Sequence, residues 1–226
     1  MKRLLVTGGS SGLGLCLAGR FLSMGWEVHT LSRRAESAPG AVNHAVDHAD
    51  ARAIAAFTTR FIAEVGCLDL LINNAAIAPA ALLVSFSEHD FDRTLMVDFT
   101  APRLLSEQLR PLLRGGTIIN VVSRVGKEGR AGLCAYAAAK GLLIDYTRSL
   151  SREMEKDNIR VVAVNPGFMV TPMVREKMIE VQRRESILNM VSAPEASTNF
   201  IAWIAGQSFG SGSLFDFDSR IYQSWN

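Results

Sequence analysis

A tyrosine and a lysine stand four residues apart in the stretch AYAAAK, residues 135–140. A run of small residues without glycine or proline predicts a helix, and on a helix a spacing of four places both side chains on one face. A nearby ammonium group favours the phenolate form of a tyrosine and lowers its pKa from about 10 toward neutrality. Tyr136 could then exchange a proton with a substrate oxygen, with Lys140 supplying the positive charge.

Two further features have residue types that suit this chemistry. Ser123 follows a predicted strand, and its hydroxyl could bind an oxygen on which negative charge develops. TGGSSGLG, residues 7–14, joins a predicted strand to a predicted helix. Glycines at such a turn let the backbone approach a pyrophosphate, and the helix N-terminus then faces the anion. Taken alone, the same glycines also fit a tight loop with a serine cap.

The elements that must position these residues alternate along the chain. Nearly continuous apolar runs such as TIINVV, at 117–122, are typical of strands buried on both faces, and helix-like stretches separate them. The alternation predicts an α/β protein with a parallel sheet covered by helices. The other predicted strands lie near residue 4, at 27–31, near 44, near 71, at 159–164 and near 215, and the predicted helices are 12–24, 51–65, 88–113, 136–156 and 194–205.

The composition favours a folded protein that acts on small molecules. The 226 residues are 48% hydrophobic and 20% charged, which is typical of a globular chain rather than a disordered one. The 24 basic and 22 acidic residues are interspersed, with a formal net charge of +2. Because no basic stripe or polybasic anchor results, we expect a small-molecule partner and neither nucleic acid nor membrane.

Segments that would divide or target the chain are not evident. No linker breaks it, so we expect one domain over residues 1–226. No apolar run approaches the ~18 residues that cross a bilayer, and no cleavable signal precedes the first strand, which favours the cytoplasm. Cys16, Cys67 and Cys134 are odd in number and scattered, which predicts free buried thiols rather than disulfides or a zinc site.

Five motifs, in order, resemble those of the short-chain dehydrogenase/reductase family over nearly the whole chain. They are TGGSSGLG at 7–14, NNAA at 73–76, Ser123, YAAAK at 136–140 and PGFMVT at 166–171. The resemblance implies a single Rossmann-type domain with a doubly wound parallel sheet of about seven strands and helices on both faces. It also implies an NAD or NADP cofactor and reversible hydride transfer at an alcohol or carbonyl, as in a carbonyl reductase. Members often pair through their long helices, so we expect a homodimer or homotetramer.

The resemblance assigns roles to four candidate catalytic residues. Ser123 would bind the substrate oxygen, Tyr136 would be the general acid and base, and Lys140 would also hold the nicotinamide ribose. Asp98 stands where the family often has an asparagine that organises a water path to the lysine. An ionised Asp98 would weaken the pull of Lys140 on Tyr136 and reduce activity or shift its pH profile. Singly, Ser123, Tyr136 and Lys140 are equally compatible with a strand end, a helix cap and a solvated neighbour.

The candidate cofactor-binding residues include one that bears on the choice of cofactor. In LSRR, residues 31–34, no carboxylate ends the strand, and a guanidinium such as that of Arg33 can grip a 2′-phosphate, which favours NADP over NAD. The alternative is that these arginines are solvated loop charges. The full set is Gly8, Ser10, Ser11, Gly12, Leu13, Gly14, Arg33, Asp47, His48, Asn74, Tyr136, Lys140, Pro166, Gly167, Met169 and Thr171.

A histidine pair gives only a superficial suggestion of a metal site. His44 and His48 flank the end of the third predicted strand beside Asp47 and Asp50. Histidines placed there would not share a face, so we predict no metal site, and Asp50 is better interpreted as a helix N-cap.

The region after the sixth predicted strand could contribute to substrate binding. Residues 171–193 correspond to the family's substrate loop, which usually contains one or two short helices. Met169, Met173, Met178 and Met190 could form an adaptable apolar wall or could fill gaps in the core. Tyr222 and Trp225 in the tail could pack on another subunit or close the pocket. The sequence leaves a second function open, that of a nucleotide-binding sensor or scaffold with reduced or no turnover. Asp98 favours this alternative.

Overall fold

The computed structural model describes residues 1–34, 36–171, 174, 176–187 and 190–220. All seven predicted strands are present and form one parallel sheet in the order β3-β2-β1-β4-β5-β6-β7. Helices cover both faces, so the predicted α/β, Rossmann-type, doubly wound fold is confirmed. The strands are β1 Arg3–Thr7, β2 Glu27–Ser32, β3 Val42–Ala45, β4 Leu70–Asn73, β5 Thr117–Val121, β6 Arg160–Asn165 and β7 Leu214–Asp216.

The helices lie close to the predicted positions. α1, α2 and α8 match within a residue or two, α6 begins two residues earlier than predicted and ends three earlier, and α7 falls within the predicted loop of residues 171–193. Among the described helices, none combines the length and the apolarity that crossing a bilayer requires. The helices are α1 Gly12–Ser23, α2 Ala51–Val65, α3 Glu88–Leu95, α4 Ala101–Gln108, α5 Val125–Glu128, α6 Cys134–Glu153, α7 Glu176–Glu185 and α8 Pro194–Ala205.

The sheet separates two apolar clusters. Successive side chains of a strand point to opposite faces. On β1, Leu4 and Val6 therefore pack with residues of α1 and α8, while Leu5 packs with residues of α2, α4 and α6. Because both faces are covered, every position of a central strand must be apolar or internally satisfied. This explains the unbroken apolar runs in the sequence.

The predicted helix 88–113 is helical from Glu88 to Gln108, but it is irregular and its α-helical part ends five residues early. α3 passes at Leu95 into a π-helical turn, Met96–Thr100, and α4 ends at Gln108 before a short 3₁₀ turn. Pro102 has no N–H to donate to the carbonyl four residues earlier, that of Asp98, so the regular ladder is interrupted there. Pro111 removes a second donor. The sequence pattern shows the apolar period but hides these breaks.

Local predictions at Asp50 and at the cysteines have different outcomes. Asp50 caps α2 as predicted, because its carboxylate accepts hydrogen bonds from the amides of Arg52 and Ala53. The cysteines are free, but Cys67 and Cys134 are exposed and Cys16 is partly exposed, so the prediction of buried thiols is wrong. Cys67 lies in a loop and Cys134 opens α6, and at both places the chain faces outward.

The junction of β1 and α1 is a close backbone contact that depends on Gly14. A Cβ atom at Gly14 would lie 2.2 Å from the carbonyl oxygen of Gly8 and 2.7 Å from Nδ2 of Asn74. Gly8 itself has a φ of +73°, in the left-handed region that favours glycine. α1 can therefore pack against the end of β1 only if position 14 has no side chain.

Two substitutions in α1 test this packing constraint. We expect Gly14→Ala to lower the free energy of unfolding by about 1–3 kcal/mol, because the added methyl group forces the turn apart. Gly19→Ala is the matched control, because nothing lies within 4 Å of its added Cβ. It should raise the free energy of unfolding by about 0.5–1 kcal/mol through helix propensity. Urea denaturation measures both, and equal effects would contradict the contact.

Candidate active site

A groove of about 800 Å³ runs along the carboxyl ends of the strands. It crosses the point between β1 and β4 where the strand order reverses, which is where doubly wound sheets bind ligands. Of the predicted site residues, two do not line it: Gly14 lies beneath the turn and Asp98 lies behind Lys140. Those that line it are Gly8, Ser10, Ser11, Gly12, Leu13, Arg33, Asp47, His48, Asn74, Ser123, Tyr136, Lys140, Pro166, Gly167, Met169 and Thr171.

The glycine turn presents polar groups to one side of this groove. Ser11 is the N-cap residue of α1, with extended backbone, and its side chain makes no capping hydrogen bond. The first amides of a helix also lack acceptors within the helix. The Ser11 hydroxyl and these amides together fit the pyrophosphate of a dinucleotide, which needs several donors and no nearby carboxylate.

Hydrogen bonds between Thr7 and the chain after β4 hold this turn to the end of that strand. The hydroxyl of Thr7 accepts from the backbone amides of Asn74 and Ala75, each at 2.9 Å. In return, Nδ2 of Asn74 donates to the carbonyl oxygen of Thr7 at 2.8 Å. Asn74 lines the groove as predicted, but in this structure its side-chain amide serves to join two strands.

Arginines and a buried histidine lie at the end of the groove near β2 and β3. Arg33 and Arg34 both line the groove and are exposed, and Arg34 is held through its carbonyl oxygen by Ser32 and Asn43. Burial lowers the pKa of His48 to about 4, so its ring is neutral. Its Nε2 atom has no hydrogen-bond partner among the described residues. A neutral ring nitrogen and free guanidinium groups fit the adenosine end of a dinucleotide.

His44 is separate from this end of the groove. Its Nε2 atom lies 3.1 Å from Nδ1 of His29, and His29 in turn contacts Glu27 at 3.0 Å. His44 and His48 therefore do not share a face. Among the described residues, no three His, Cys, Asp or Glu side chains form a group that could hold a metal ion.

Ser123, Tyr136 and Lys140 meet at the middle of the groove. Tyr136 and Lys140 lie on one face of α6, with Nζ of Lys140 5.7 Å from the centre of the tyrosine ring. Ser123, just after β5, lines the same part of the groove and opposes the rise in the pKa of Tyr136. The structure thus brings together the three side chains that the sequence grouped by their order alone.

The ammonium group of Lys140 is almost completely buried. The residue is 2% exposed, and Nζ donates to the carbonyl oxygen of Val121 at 3.1 Å. Oδ2 of Asp98 lies 3.6 Å from Nζ, an ion-pair distance that is longer than a hydrogen bond. The other oxygen of Asp98 accepts from the amide of Ile77 at 2.8 Å. The predicted proximity of Asp98 and Lys140 is therefore observed.

Burial controls the pKa values of this group. Burial raises the pKa of Asp98 to about 6, against the attraction of Lys140. Burial, and then the charge of Asp98, raise the pKa of Tyr136 above its ordinary value, although Ser123 and Arg220 oppose the rise. The sequence predicts the opposite direction for Tyr136. The difference arises because the ring lies in a poorly solvated site beside a carboxylate.

The groove also contains polar residues that the sequence analysis missed. They come from four separate segments: α3, the α5–α6 loop, α7 and the chain after β7. These residues do not belong to a common sequence motif. Within the described chain, only the spacing of Asp218 and Arg220 could have indicated one of them. The four are Arg93, Arg130, Gln182 and Arg220.

The methionine wall is observed only in part. Met169 lines the groove and is buried, whereas Met190 is 62% exposed and does not line it. Met173 and the side chain of Met178 lie outside the described residues, as do Tyr222 and Trp225. The prediction of a four-methionine wall is therefore wrong at Met190, because the chain turns outward there.

A doubly wound parallel sheet with a glycine-rich first turn and a groove at the strand reversal is the architecture of dinucleotide-binding proteins. A family model described as short chain dehydrogenase matches residues 2–182. The chain belongs to this family. It is an NAD(P)-dependent oxidoreductase of the class that acts on CH–OH and C=O groups.

Similar proteins extend over the whole fold. The chain is 32% identical over 240 aligned residues to 3-oxoacyl-(acyl-carrier-protein) reductase FabG of Thermotoga maritima, covering 97% of each. A short chain dehydrogenase from Burkholderia cenocepacia in complex with NADP has a TM-score of 0.90 at 28% identity, covering 97% of each chain. 3-Ketoacyl-(acyl-carrier-protein) reductase from Brucella melitensis complexed with NADH has a TM-score of 0.86 at 26% identity, covering 96% of this chain and 97% of the other. A nicotinamide cofactor is confirmed at this level, and NADP over NAD stays a prediction.

The buried Asp98 generates a prediction about stability and pH. Its pKa is about 6 in the folded chain against an ordinary value of 3.8, so the folded state binds this proton more tightly than the unfolded state does. The unfolding free energy of the natural chain, relative to that of Asp98→Asn, should therefore fall as pH rises from about 4 to about 6. We expect a change on the order of 1–3 kcal/mol.

Urea denaturation of both proteins across this pH range measures the difference directly. The same measurement on Asp69→Asn gives the comparison for a carboxylate outside the groove. Parallel curves for the natural chain and Asp98→Asn would contradict a raised pKa at Asp98.

Proposed function

We propose that the protein is an NADP(H)-dependent carbonyl reductase, or the equivalent alcohol dehydrogenase, with Tyr136 as general acid and base. The observation that carries this proposal is the meeting of Ser123, Tyr136 and Lys140 in the same groove as the glycine turn. Each residue taken singly has an ordinary structural explanation. Their convergence beside a pyrophosphate-binding turn is what supports a catalytic role.

When bound, the nicotinamide supplies a hydride to the carbonyl carbon in reduction and accepts one in oxidation. In reduction, Ser123 would donate a hydrogen bond to the carbonyl oxygen, and Tyr136 would transfer its proton to that oxygen, which completes the alcohol. In oxidation the proton returns to Tyr136. The raised pKa of Tyr136 keeps the phenol protonated near neutral pH. This is the form that reduction requires.

Lys140 and Asp98 would have supporting roles in this proton transfer. An ammonium group has three N–H donors, and one of those of Lys140 is used by Val121. The others can reach a cofactor ribose hydroxyl and Asp98. Asp98 does not line the groove, so we assign it as a positioning residue that sets the charge behind Lys140, rather than as a group that touches substrate.

The preference for NADP rests on the adenosine end of the groove. Arg33 makes no ion pair with any described residue, and both it and Arg34 line the groove. A 2′-phosphate would therefore meet free guanidinium groups. The nearest acidic lining residue, Asp47, already accepts from the amide of Ala49.

The organisation of the chain follows from the same proposal. We propose one domain over residues 1–226 with a substrate loop at 171–193, supported by Thr171 and Gln182, which line the groove from that segment. A homodimer or homotetramer and a cytoplasmic location complete the proposal.

A second candidate, a nucleotide-binding sensor with reduced turnover, has specific support. Asp98 places a carboxylate beside Lys140, and both burial and that carboxylate raise the pKa of Tyr136. A chain whose phenol cannot ionise would oxidise alcohols poorly. Turnover by the natural chain separates the two candidates.

Removal of the Tyr136 hydroxyl group tests the proposed role of this residue as the general acid. We expect Tyr136→Phe to lower kcat for NADPH-dependent reduction about 10²–10⁴-fold, because no other group is placed to give the proton. Binding of NADPH, followed by fluorescence titration, should change by less than about two-fold. Consumption of NADPH with a panel of ketones, aldehydes and quinones gives the rates.

Tyr146→Phe is the matched control, because Tyr146 lies on the same helix but its hydroxyl faces Glu107 rather than the groove. Full turnover by Tyr136→Phe would exclude the proposed role. Binding of NADPH by the natural chain without turnover of any panel member would favour the sensor.

The choice of cofactor is tested at Arg33. Because a charged hydrogen bond contributes about 1.5–3 kcal/mol, Arg33→Gln should weaken binding of NADPH about 10–100-fold and leave that of NADH nearly unchanged. Arg20→Gln, at the far end of α1, is the control and should alter neither. Tighter binding of NADH than NADPH by the natural chain would overturn the preference.

A further inference from the structure

The substrate side of the groove is lined by donors that the proposed chemistry does not use. Arg93, Arg130, Gln182 and Arg220 all line it. Among the described lining residues, Asp47 is the only acid, and it lies at the adenosine end. A groove that carries three arginines and an amide donor at this side favours a ligand with negative charge.

Arg220 and Gln182 form a fixed pair in the wall. Arg220 is 8% exposed, its guanidinium group donates to both oxygens of Asp218, and it lies over the ring of Phe168 at 5.6 Å. It also donates to Oε1 of Gln182. Gln182 is therefore oriented by this contact. Because its oxygen is occupied as an acceptor, its nitrogen is left as a donor.

That nitrogen points to a ligand. Gln182 is fully buried, yet Nε2 has no hydrogen-bond partner among the described residues. Leaving a buried N–H unpaired costs free energy, and such groups are normally satisfied. Since Gln182 lines the groove, an acceptor atom of a bound molecule can provide the missing partner.

Two further arginines, Arg93 and Arg130, line the groove, and neither has a close carboxylate partner among the described residues. Arg93, on α3, makes no ion pair with any described residue. The carboxylate nearest to Arg130 is that of Glu185, at 3.9 Å, which is too long for a hydrogen bond. Both side chains are partly buried, so their charge is less screened than that of an exposed arginine. A planar guanidinium group fits a carboxylate through two parallel hydrogen bonds.

We propose that the substrate is a small oxo or hydroxy acid, whose carboxylate is bound by Arg93 and Arg130 while Gln182 donates to one of its oxygens. This inference rests on the proposed oxidoreductase function and adds the substrate class. Arg220 holds Gln182 in place and lines the same groove as Tyr136.

Matched pairs of substrates test the inference. Reduction by NADPH is measured for 2-, 3-, 4- and 5-oxo acids of five to eight carbons and for the methyl ester of each. We expect kcat/KM for at least one acid to exceed that for its ester about 10-fold or more, mainly through KM, because the ester has lost the negative charge. Esters reduced as well as their acids throughout would overturn the inference and leave the proposed function intact.

Variants of Arg93 and Arg130 test whether these arginines cause the preference for the acid over its ester. Arg93→Gln and Arg130→Gln should each lower the ratio of acid to ester about 10-fold, and Arg130→Lys should retain part of it because the charge is kept. Arg114→Gln is the control, because Arg114 is largely exposed, pairs with Asp157 and does not line the groove. An unchanged ratio in both glutamine variants would overturn the assignment.

Binding without turnover separates this inference from the proposed function. Each oxo acid is titrated calorimetrically into Tyr136→Phe with NADP⁺ present, and we expect at least one of them to bind. Arg130→Gln, added to that variant, should weaken this binding about 10-fold. If the natural chain reduces nothing but this arginine-dependent binding occurs, the carboxylate site stands and the proposed function fails. If no oxo acid binds, the carboxylate site fails.

Discussion

The site depends on one buried ammonium group. Lys140 extends from α6 to the end of β5, where Val121 accepts its hydrogen bond, and to Asp98 in the π-helical turn. Asp98 in turn accepts from the amide of Ile77 in the chain that follows β4. One side chain thus links the ends of two neighbouring strands to two helical segments. These contacts therefore fix the position of α6, which carries Tyr136, relative to the sheet.

A buried polar network also fixes the position of α6 relative to the sheet. Asn73 donates to Asn120 at 2.8 Å, and Asn120 donates to Thr147 at 2.9 Å, which joins β4, β5 and α6. Polar groups in such a core must be paired, so the register of these three elements is strongly specified. The candidate catalytic side chains Ser123 and Tyr136 can therefore be held in a fixed arrangement although they lie in different segments.

The fold could be predicted from the sequence because the relevant patterns are local. The central strands are apolar runs, and Asp50 is a cap two and three residues from the amides that donate to it. The pairing of Gln182 with Arg220 could not be predicted, because it joins α7 to the chain after β7 and neither residue has a local requirement for the other. The pKa of Tyr136 was predicted in the wrong direction for a related reason. Helical spacing reveals a neighbouring charge, but it does not reveal how deeply the group is buried.

The energetics of Asp98 and Lys140 argue that the pair is retained for chemistry rather than for stability. Burial raises the pKa of the acid and lowers that of the amine, so each is shifted toward its neutral form despite the attraction between them. Desolvation therefore exceeds the gain from pairing in both cases, and apolar residues of similar volume would often be as stable. A pair that adds little stability while it sets the charge near Tyr136 fits the proton transfer proposed for that hydroxyl.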